Sequence, residues 1–277
     1  MPADHDPSAL DLTAYLARIQ WSGKHLATAD TLRSLHRAHL LHIPFENAEA
    51  VLGSAPSLAL ADVQRKLVQE GRGGYCYEQN GLLATALRAL GFGVTYLAAR
   101  VRTNGRGEKT RPRTHMVLMV RVPGSETPHL ADVGFGATGL LEAIPLEADA
   151  PRERGAWTVR LVREPQDGPE DLWVLQLKPT GGAWSDVYAF TREPFEFPDF
   201  EIANWYMATH PRSPFYGRLF AEQPGVDHHL ALVGRQLIHT RGDGTATKRE
   251  LADDAEVLHT LATTFGIHLP PGTRLPA

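Results

Sequence analysis

The sequence contains one cysteine in 277 residues, so no disulfide bond can form within the chain. Such cysteine usage fits a reducing compartment. Apolar runs long enough to span a membrane are absent. The first twelve residues carry Asp4, Asp6 and Asp11 and no apolar stretch, which argues against a secretory signal. We therefore expect a cytoplasmic protein without a membrane partner.

An excess of charge of either sign is absent too. The formal net charge is −4, which gives no indication of a nucleic-acid partner. Internal repeats and low-complexity tracts are also missing from the sequence. With 43% apolar and 22% charged residues, the composition is that of a globular protein with a sizeable core.

Hydrophobic periodicity changes once along the chain. Up to residue 91 the apolar side chains recur at helical spacing, which predicts helices over residues 11–20, 28–43, 57–69 and 78–90. After Gly93, short β-rich runs alternate with turn residues, as in an antiparallel sheet or small barrel. The predicted strands are Val94–Val101, Met116–Val122, His129–Phe135, Trp157–Val162, Leu172–Leu177 and Trp184–Phe190.

The remaining chain carries weaker signals. Residues 194–225 are rich in proline and aromatic residues, which predicts an irregular crossing segment. A strand over Leu230–Thr240 and a helix over Val257–Phe265 follow. The sequence therefore predicts an α+β fold in three parts: a helical subdomain (1–91), a β-subdomain (92–203) and a crossing segment with a small α/β part (204–277).

The single cysteine lies in the stretch Arg72–Asn80, directly after two glycines and before a helical pattern. Glycines allow a sharp turn and a close approach of the backbone to a ligand. A thiol in the first turn of a helix tends to ionise, and the thiolate is the reactive form. Most lone cysteines are small buried hydrophobes, so Cys76 is a candidate nucleophile only if a base and an orienting group accompany it.

Thirteen histidines compete for the role of base. His36, His39 and His42 are three residues apart, and no second ligand cluster accompanies them, so no zinc site is predicted. We interpret them as part of the surface, the edge of the core or helix packing. His115 opens the apolar run that begins at Met116, where an unpaired polar residue would be costly.

Asp132 is the candidate orienting group, because it lies in an apolar run where a carboxylate is rarely left unpaired. The strands that carry His115 and Asp132 are consecutive and joined by a short turn, so the two side chains can be cross-strand neighbours. Each residue alone could equally cap a strand or a turn. Together with Cys76, they make a catalytic triad the better interpretation.

Five segments in order resemble one enzyme family. Arg72–Asn80 resembles the R-G-G-x-C-x-E-x-N signature of the arylamine N-acetyltransferases. Thr114–Leu118 and Asp132–Gly136 resemble the histidine and aspartate strands of that family. His42–Asn47 and Thr209–Phe215 match two further family segments.

The resemblance implies a helical first subdomain, an antiparallel β-barrel and an α/β lid around a cysteine-protease-like catalytic core. It implies that Cys76, with His115 and Asp132, accepts an acetyl group from acetyl-coenzyme A. The group would then pass to the nitrogen of an arylamine, arylhydrazine or arylhydroxylamine in a ping-pong scheme. No metal is expected. A homodimer is compatible with the sequence, which does not determine the oligomeric state.

The resemblance also assigns binding residues. The aromatic substrate would contact Phe45, Val101, Phe135 and Phe215, although these side chains could instead pack the core. Coenzyme A would contact Thr114, Gly134 and Gly136, because backbone amides near glycines can approach phosphate or pantetheine. The basic loop Arg102–Arg113 and the pair His228-His229 are further candidates for the nucleotide, and a solvated loop is the commoner role of such a charge run. Arg72 and Glu46 are expected to form a buried ion pair.

Three other functions remain open from the sequence. A related amide synthase would use the same triad with a larger acyl donor. A cysteine hydrolase or transglutaminase-like enzyme would resolve the acyl-enzyme with water or another amine. A ligand-binding protein without catalysis would have no need of all three triad residue types.

Overall fold

The computed structural model describes residues 6–103, 111–136, 139–154, 157–270 and 272–275. Its first third is helical, as the periodicity predicts. Asp11 and Thr28 cap the first two helices by accepting hydrogen bonds from Ala14 N–H and Thr31 N–H at 2.9 and 3.2 Å. The helices before the large sheet are α1 (Leu12–Arg18), α2 (Ala29–His42), α3 (Ala48–Val51), α4 (Leu60–Gln64) and α5 (Cys76–Ala89).

Helix α5 is enclosed on all sides, and every residue from Cys76 to Leu87 is buried. It packs against α1, α2 and α4 and against the strands that follow it. The predicted helix over 78–90 therefore begins two residues earlier, at the cysteine itself. This places the thiol at the first helical position, where the backbone N–H groups have no partner within the helix.

The large sheet contains eight antiparallel strands in the order β5-β4-β3-β2-β9-β8-β7-β6. The α+β class and the antiparallel character of the predicted barrel are confirmed, in the form of this curled sheet. Its strands are β2 (Gly93–Val101), β3 (His115–Arg121), β4 (His129–Ala131), β5 (Ile144–Pro145), β6 (Arg152–Arg154), β7 (Trp157–Glu164), β8 (Leu172–Pro179) and β9 (Ser185–Phe190).

One predicted strand is shorter than expected. The run His129–Phe135 leaves the ladder after Ala131, so Asp132 lies just beyond β4. The backbone N–H of Asp132 donates to the His36 side chain, and Gly134 N–H donates to Asp132 Oδ1 at 3.0 Å. These side-chain bonds replace the ladder bonds and turn the chain away from the sheet.

A second, five-stranded sheet has the order β1-β10-β11-β12-β13 and packs with the last helix, α7. Strand β1 comes from the helical third of the chain, where Phe45 pairs with Glu222. The elements of this part are β1 (Phe45–Glu46), α6 (Phe197–Thr209), β10 (Phe220–Pro224), β11 (His228–Val233), β12 (Gln236–Arg241), β13 (Ala246–Glu250) and α7 (Asp254–Phe265).

The prediction of an irregular segment over 194–225 was wrong. Helix α6 and strand β10 lie within it. Pro198 occupies the first turn of α6, where its missing N–H costs nothing. The three-part division at residues 91 and 203 stays a prediction; α6 runs across the second of these positions. No helix in the described part of the chain is long and apolar enough to cross a membrane.

Candidate active site

The cysteine is presented by a short segment, residues 71–75, which bends at Gly71 (φ +70°), runs beside β1 and leads into α5; it is called the glycine turn below. A Cβ atom on Gly73 would lie 2.1 Å from the carbonyl oxygen of Pro44, so only glycine fits there. Glu46 N–H donates to the Gly74 carbonyl at 3.1 Å, which binds the turn to β1. The close approach predicted from the glycines is therefore one of backbone to backbone, and it fixes the position of the residues just before Cys76.

The first turn of α5 is closed by a side chain. Glu78 Oε2 accepts a hydrogen bond from the backbone N–H of Tyr75 at 3.0 Å. This is one half of a capping box, which satisfies a donor next to the helix N-terminus. The Cys76 sulfur lies 3.9 Å from the carbonyl oxygen of Thr114, which also accepts the Tyr77 hydroxyl at 2.7 Å. The thiol therefore faces the residue that precedes β3.

The structure brings the three predicted triad residues together. His115 Nε2 lies 2.7 Å from Asp132 Oδ2, and both side chains are buried. A hydrogen bond with Cys76 and the charge of Cys76 both raise the pKa of His115. Because Asp132 occupies Nε2, Nδ1 is the ring nitrogen that remains for the sulfur.

Electrostatics favour an imidazolium at this position. Burial opposes protonation of His115, but the charge and hydrogen bond of Asp132 and the contact with Cys76 outweigh it and raise its pKa to about 10. For the carboxyl group of Asp132, burial by itself would raise the pKa. His115, Asn80 and the backbone N–H of Gly134 hold it below the usual value instead. The pair is therefore a charged one near neutral pH.

Asn80 connects the three elements of the site, a role that the sequence did not indicate. Its Nδ2 donates to Asp132 Oδ1 at 2.9 Å and to the Met116 carbonyl at 2.8 Å, and its Oδ1 accepts from Val133 N–H at 2.9 Å. Asn80 lies one helical turn after Cys76, on the same side of α5. The four-residue spacing from Cys76 was the signal in the sequence that could have predicted the position of Asn80.

Two histidines of α2 support the site from behind. His36 Nε2 accepts the backbone N–H of Asp132 at 3.0 Å. His39 bonds Gln79 Oε1 through Nε2 at 2.7 Å and the Tyr15 hydroxyl through Nδ1 at 2.8 Å. Burial lowers the pKa of His36 to about 4 and that of His39 to about 3, so both stay neutral near neutral pH.

The interpretation of these histidines as surface or packing residues missed this role. Leu32, Leu35, His36, His39 and Leu40 are all buried and follow the spacing of one helical stripe. The three-residue spacing places His36 and His39 within the apolar face. Only His42 matches the prediction of a residue at the core edge, since it is half-buried and bonds the Ala38 carbonyl at 2.8 Å.

The predicted aromatic-pocket residues form two groups near the site. Phe135 packs against His115 and Tyr188, with ring centroids 5.2 and 5.5 Å apart. Phe215 lies 5.8 Å from Phe45. Val101 is half-buried and paired with Tyr188 across the β2–β9 ladder.

Two of the predicted coenzyme A residues, Gly134 and Gly136, lie in the loop that follows β4, and Thr114 lies directly before β3. A Cβ on Gly134 would lie 2.5 Å from the Cys76 Cα, and its N–H already donates to Asp132. Gly136 has a φ of +72°, and a Cβ there would lie 2.6 Å from Glu222 Oε2. Both glycines therefore allow close packing against neighbouring elements. Thr114 directs its carbonyl oxygen toward Cys76 and Tyr77.

The remaining candidates for binding the nucleotide lie in two places, the basic loop Arg102–Arg113 and the pair His228-His229. Arg102 pairs with Glu164 and Asp186 at 2.8 and 3.3 Å, while residues 104–110 of the predicted basic loop, with Arg106 and Lys109, lie outside the described residues. A small cleft with a cavity volume of about 20 Å³ lies between the two sheets. Its lining includes Gly136, His228 and His229.

The predicted ion pair is confirmed. Arg72 Nη2 lies 2.6 Å from Glu46 Oε1, and the Glu46 side chain is only 1% exposed. Glu46 Oε2 accepts from Ala48 N–H at 2.7 Å, so the carboxylate also holds the start of α3. The pair connects the glycine turn before Cys76 with strand β1.

Comparison with known proteins gives a consistent picture. A family model described as N-acetyltransferase matches residues 28–273. An arylamine N-acetyltransferase of Mycolicibacterium smegmatis is 38% identical over 265 residues, which is 94% of this chain and 93% of the relative. The crystal structure of the Nocardia farcinica arylamine N-acetyltransferase superposes with a TM-score of 0.91 at 43% identity, covering 98% of this chain and 94% of that one. The Mycobacterium marinum enzyme in complex with CoA has a TM-score of 0.85 at 37% identity, with 93% of each chain covered.

Proposed function

The chain belongs to the arylamine N-acetyltransferase family, and from this premise we propose that it uses acetyl-coenzyme A as donor and Cys76 as the residue that carries the acetyl group. The acceptor is the nitrogen of an arylamine, arylhydrazine or arylhydroxylamine. The observation that carries the proposal is the His115–Asp132 pair at 2.7 Å, beside a thiol on the first turn of a buried helix. The CoA complex of the M. marinum relative supports the choice of donor.

In the first half-reaction the Cys76 thiolate attacks the carbonyl carbon of the acetyl thioester. The bond from that carbon to the coenzyme A sulfur breaks, and the leaving thiolate takes the proton of the His115 imidazolium. The products are acetyl-Cys76 and free coenzyme A. The raised pKa of His115, about 10, supports an imidazolium that is present before the attack.

In the second half-reaction the amine nitrogen attacks the acetyl-Cys76 carbonyl. Neutral His115 takes the proton from the attacking nitrogen, and the bond from the carbonyl carbon to the Cys76 sulfur breaks. The amide leaves, and the thiolate–imidazolium pair is restored. Asp132 stays hydrogen-bonded to Nε2 of His115 throughout, so Nδ1 is the nitrogen that exchanges protons with the reacting groups.

Substrate contacts follow from the same arrangement. Phe135 packs on the edge of the His115 ring, and Phe45 and Phe215 pack together beside the glycine turn. Apolar rings around a nucleophile suit an aryl group and exclude water from the thioester. Val101 completes the proposed aryl pocket, and Thr114, Gly134 and Gly136 stay the proposed contacts of coenzyme A.

Intact mass spectrometry tests the proposal directly. The protein incubated with acetyl-coenzyme A alone is expected to gain the mass of one acetyl group, and added arylamine should remove it. Cys76→Ser should show no such gain and no arylamine acetylation. A Cys76→Ser variant that acetylates arylamines at a rate near wild type contradicts the scheme.

Two other outcomes separate the related activities. A wild-type protein that gains no acetyl group contradicts acetyl-coenzyme A as the donor. An acetyl adduct that disappears rapidly in water without amine favours a hydrolase. His115→Asn and Asp132→Asn test the remaining triad residues, and each should slow formation of the adduct.

A further inference from the structure

A buried lysine lies behind the first turn of the cysteine helix. Lys66 Nζ is 2.7 Å from Glu78 Oε1 and 3.1 Å from Glu49 Oε1. The side chains of Lys66 and Glu78 are only 6% and 1% exposed. Lysine is almost never buried without a partner, because removing its charge from water is costly. Contact with solvent therefore does not explain why this charged pair is present in the interior.

The Glu78 carboxylate joins the lysine to the nucleophile. While Oε1 accepts from Lys66, Oε2 accepts from the backbone N–H of Tyr75 at 3.0 Å. Tyr75 is the residue immediately before Cys76, so this second bond fixes the peptide that leads into the helix. The orientation of the carboxylate, and thus of this cap, depends on the ammonium group that holds its other oxygen.

The backbone around Lys66 is unusual. Residues Arg65–Gln69 continue α4 as a π-helical turn, with Glu70 N–H donating to the Arg65 carbonyl at 2.8 Å. In this turn Lys66, Leu67 and Val68 are consecutively buried. Such turns are rare and often occur at functional sites. The wider turn directs a lysine into the interior together with two apolar neighbours.

The pair belongs to a larger cluster of charged side chains. Glu46, Glu49 and Glu78 face Lys66, and Arg72 is the other cation of the cluster, at 2.6 Å from Glu46 and 3.7 Å from Glu49. Lys66 is therefore the cation that Glu78 and Glu49 share, while Arg72 lies closest to Glu46.

The directions of the pKa shifts agree with this arrangement. Burial would lower the pKa of Lys66, but the three carboxylates outweigh it and raise the pKa above its usual value. Burial raises the pKa of Glu78 to about 7 even though Lys66 opposes the shift. The lysine is therefore charged near neutral pH, and its charge opposes protonation of Glu78, whose pKa lies close to neutrality.

We propose that Lys66 is a positioning residue for Cys76, which acts by holding the Glu78 carboxylate that caps the first turn of α5. The proposal rests on the function proposed above in taking Cys76 as the nucleophile.

Alkylation of the thiol provides a direct test. Cys76 is the only cysteine, so the rate of reaction with iodoacetamide reports this thiol alone. We expect Lys66→Met to slow alkylation at neutral pH by about tenfold in a pH profile of the rate, because the carboxylate that caps the first turn of α5 loses its ammonium partner. Lys66→Arg should restore most of the rate. A folded Lys66→Met protein with the wild-type profile overturns the proposal.

A matched control lies on the same turn. Arg65 pairs with Glu70 and Asp62 on the surface, with its side chain 55% exposed. Arg65→Met removes a cation of similar length one residue away, and it should leave the alkylation profile unchanged. An equal effect of both substitutions would mean that any cation in this turn suffices, which contradicts a specific role of Lys66.

A second comparison holds even if Lys66→Met fails to fold. In the Glu78→Gln background the carboxylate is gone, so Lys66→Met should have no further effect on the alkylation rate. A double variant that alkylates much more slowly than Glu78→Gln alone shows that Lys66 does not act through Glu78, and it overturns the proposal. Equal rates support it.

The readout is independent of the proposed reaction, because alkylation needs neither acetyl-coenzyme A nor an amine. If acetylation of Cys76 is never observed, the proposed function fails while the effect of Lys66 on the thiol can still be measured. If acetylation is observed, Lys66→Met should lower kcat by about tenfold and leave the KM for the arylamine unchanged, since the lysine does not contact the proposed aryl pocket.

Discussion

The imidazole of His36 accepts the backbone N–H of Asp132 at 3.0 Å, so a residue of the second helix fixes the loop that carries the carboxylate. The sequence positions of the two residues are 96 apart. Asp132 is thus held by its own backbone as well as by Asn80 and His115 at its side chain. Orientation of His115, the proposed base, therefore depends on a contact that does not involve the side chains of the proposed triad.

Removal of the His36 side chain should destabilise the protein and disturb the site. His36→Leu leaves the buried Asp132 N–H without an acceptor, which costs about 1–3 kcal/mol in the free energy of unfolding. We expect a lower kcat as well, because the loop is free to shift. Urea denaturation and steady-state kinetics measure the two effects. His42→Leu, at a half-buried position of the same helix, should change both values less.

The stability of the protein should depend on pH through His115. Its pKa is about 10 when folded, compared with the usual 6.5. The stabilisation by Asp132 is therefore complete below about pH 6.5 and is lost as the pH rises through about 10. We expect the free energy of unfolding from urea titrations to fall over this interval.

Asp132→Asn should remove most of that slope, because the charge that raises the pKa is gone. Asp227→Asn is the control, since it alters an exposed His–Asp pair with His228 at 2.9 Å. The control should retain the wild-type slope. A full slope in Asp132→Asn would mean that another group causes the pH dependence.

The Arg72–Glu46 pair should be essential for stability. Arg72→Ala leaves the Glu46 carboxylate, 1% exposed, without its cation. Stranding a buried charge costs roughly 3–5 kcal/mol in the free energy of unfolding. Thermal and urea denaturation measure the loss. Arg33→Ala breaks an exposed pair with Asp30 and should have little effect. An unchanged Arg72→Ala melt contradicts the structural role.

Gly134 should tolerate no side chain. The added methyl group of Gly134→Ala would lie 2.5 Å from the Cys76 Cα and 3.0 Å from its carbonyl oxygen, and these backbone atoms cannot move without displacing Cys76, the proposed nucleophile. We expect a large loss of kcat for arylamine acetylation. Gly168→Ala is the control, because its nearest contact would be a Gln166 side-chain atom at 3.5 Å. Wild-type kinetics in Gly134→Ala would show that the loop can retreat at no cost.

The position of Cys76 was predictable because local signals agreed. Two glycines precede it and an apolar helical stripe follows, and both act over a few residues. The approach of His115 to Asp132 was predictable for a similar reason, since their strands are neighbours in sequence and paired in the sheet. Where short-range patterns and chain order determine the contact, the sequence is sufficient.

The supporting residues were harder to predict, because their partners are distant in the chain. A histidine in an apolar stripe can be a packing residue or an acceptor, and only the arrival of Asp132 decides for His36. The inward direction of Lys66 depends on a π-helical turn that no residue pattern marks. Helix α6 was missed because Pro198 reads as a helix breaker, although it is favourable in a first turn.

Strand β1 has a consequence for the order in which the molecule can be completed. Phe45 and Glu46 pair with Glu222 and Ala221, so the strand beside the glycine turn waits for a partner that lies far later in the chain. On the ribosome, the glycine turn before Cys76 emerges long before its β-partner exists. A nascent chain that ends before residue 220 would have Cys76 outside the tunnel with this edge unpaired. The Cys76 thiol therefore gains its final setting only after strand β10 has been made.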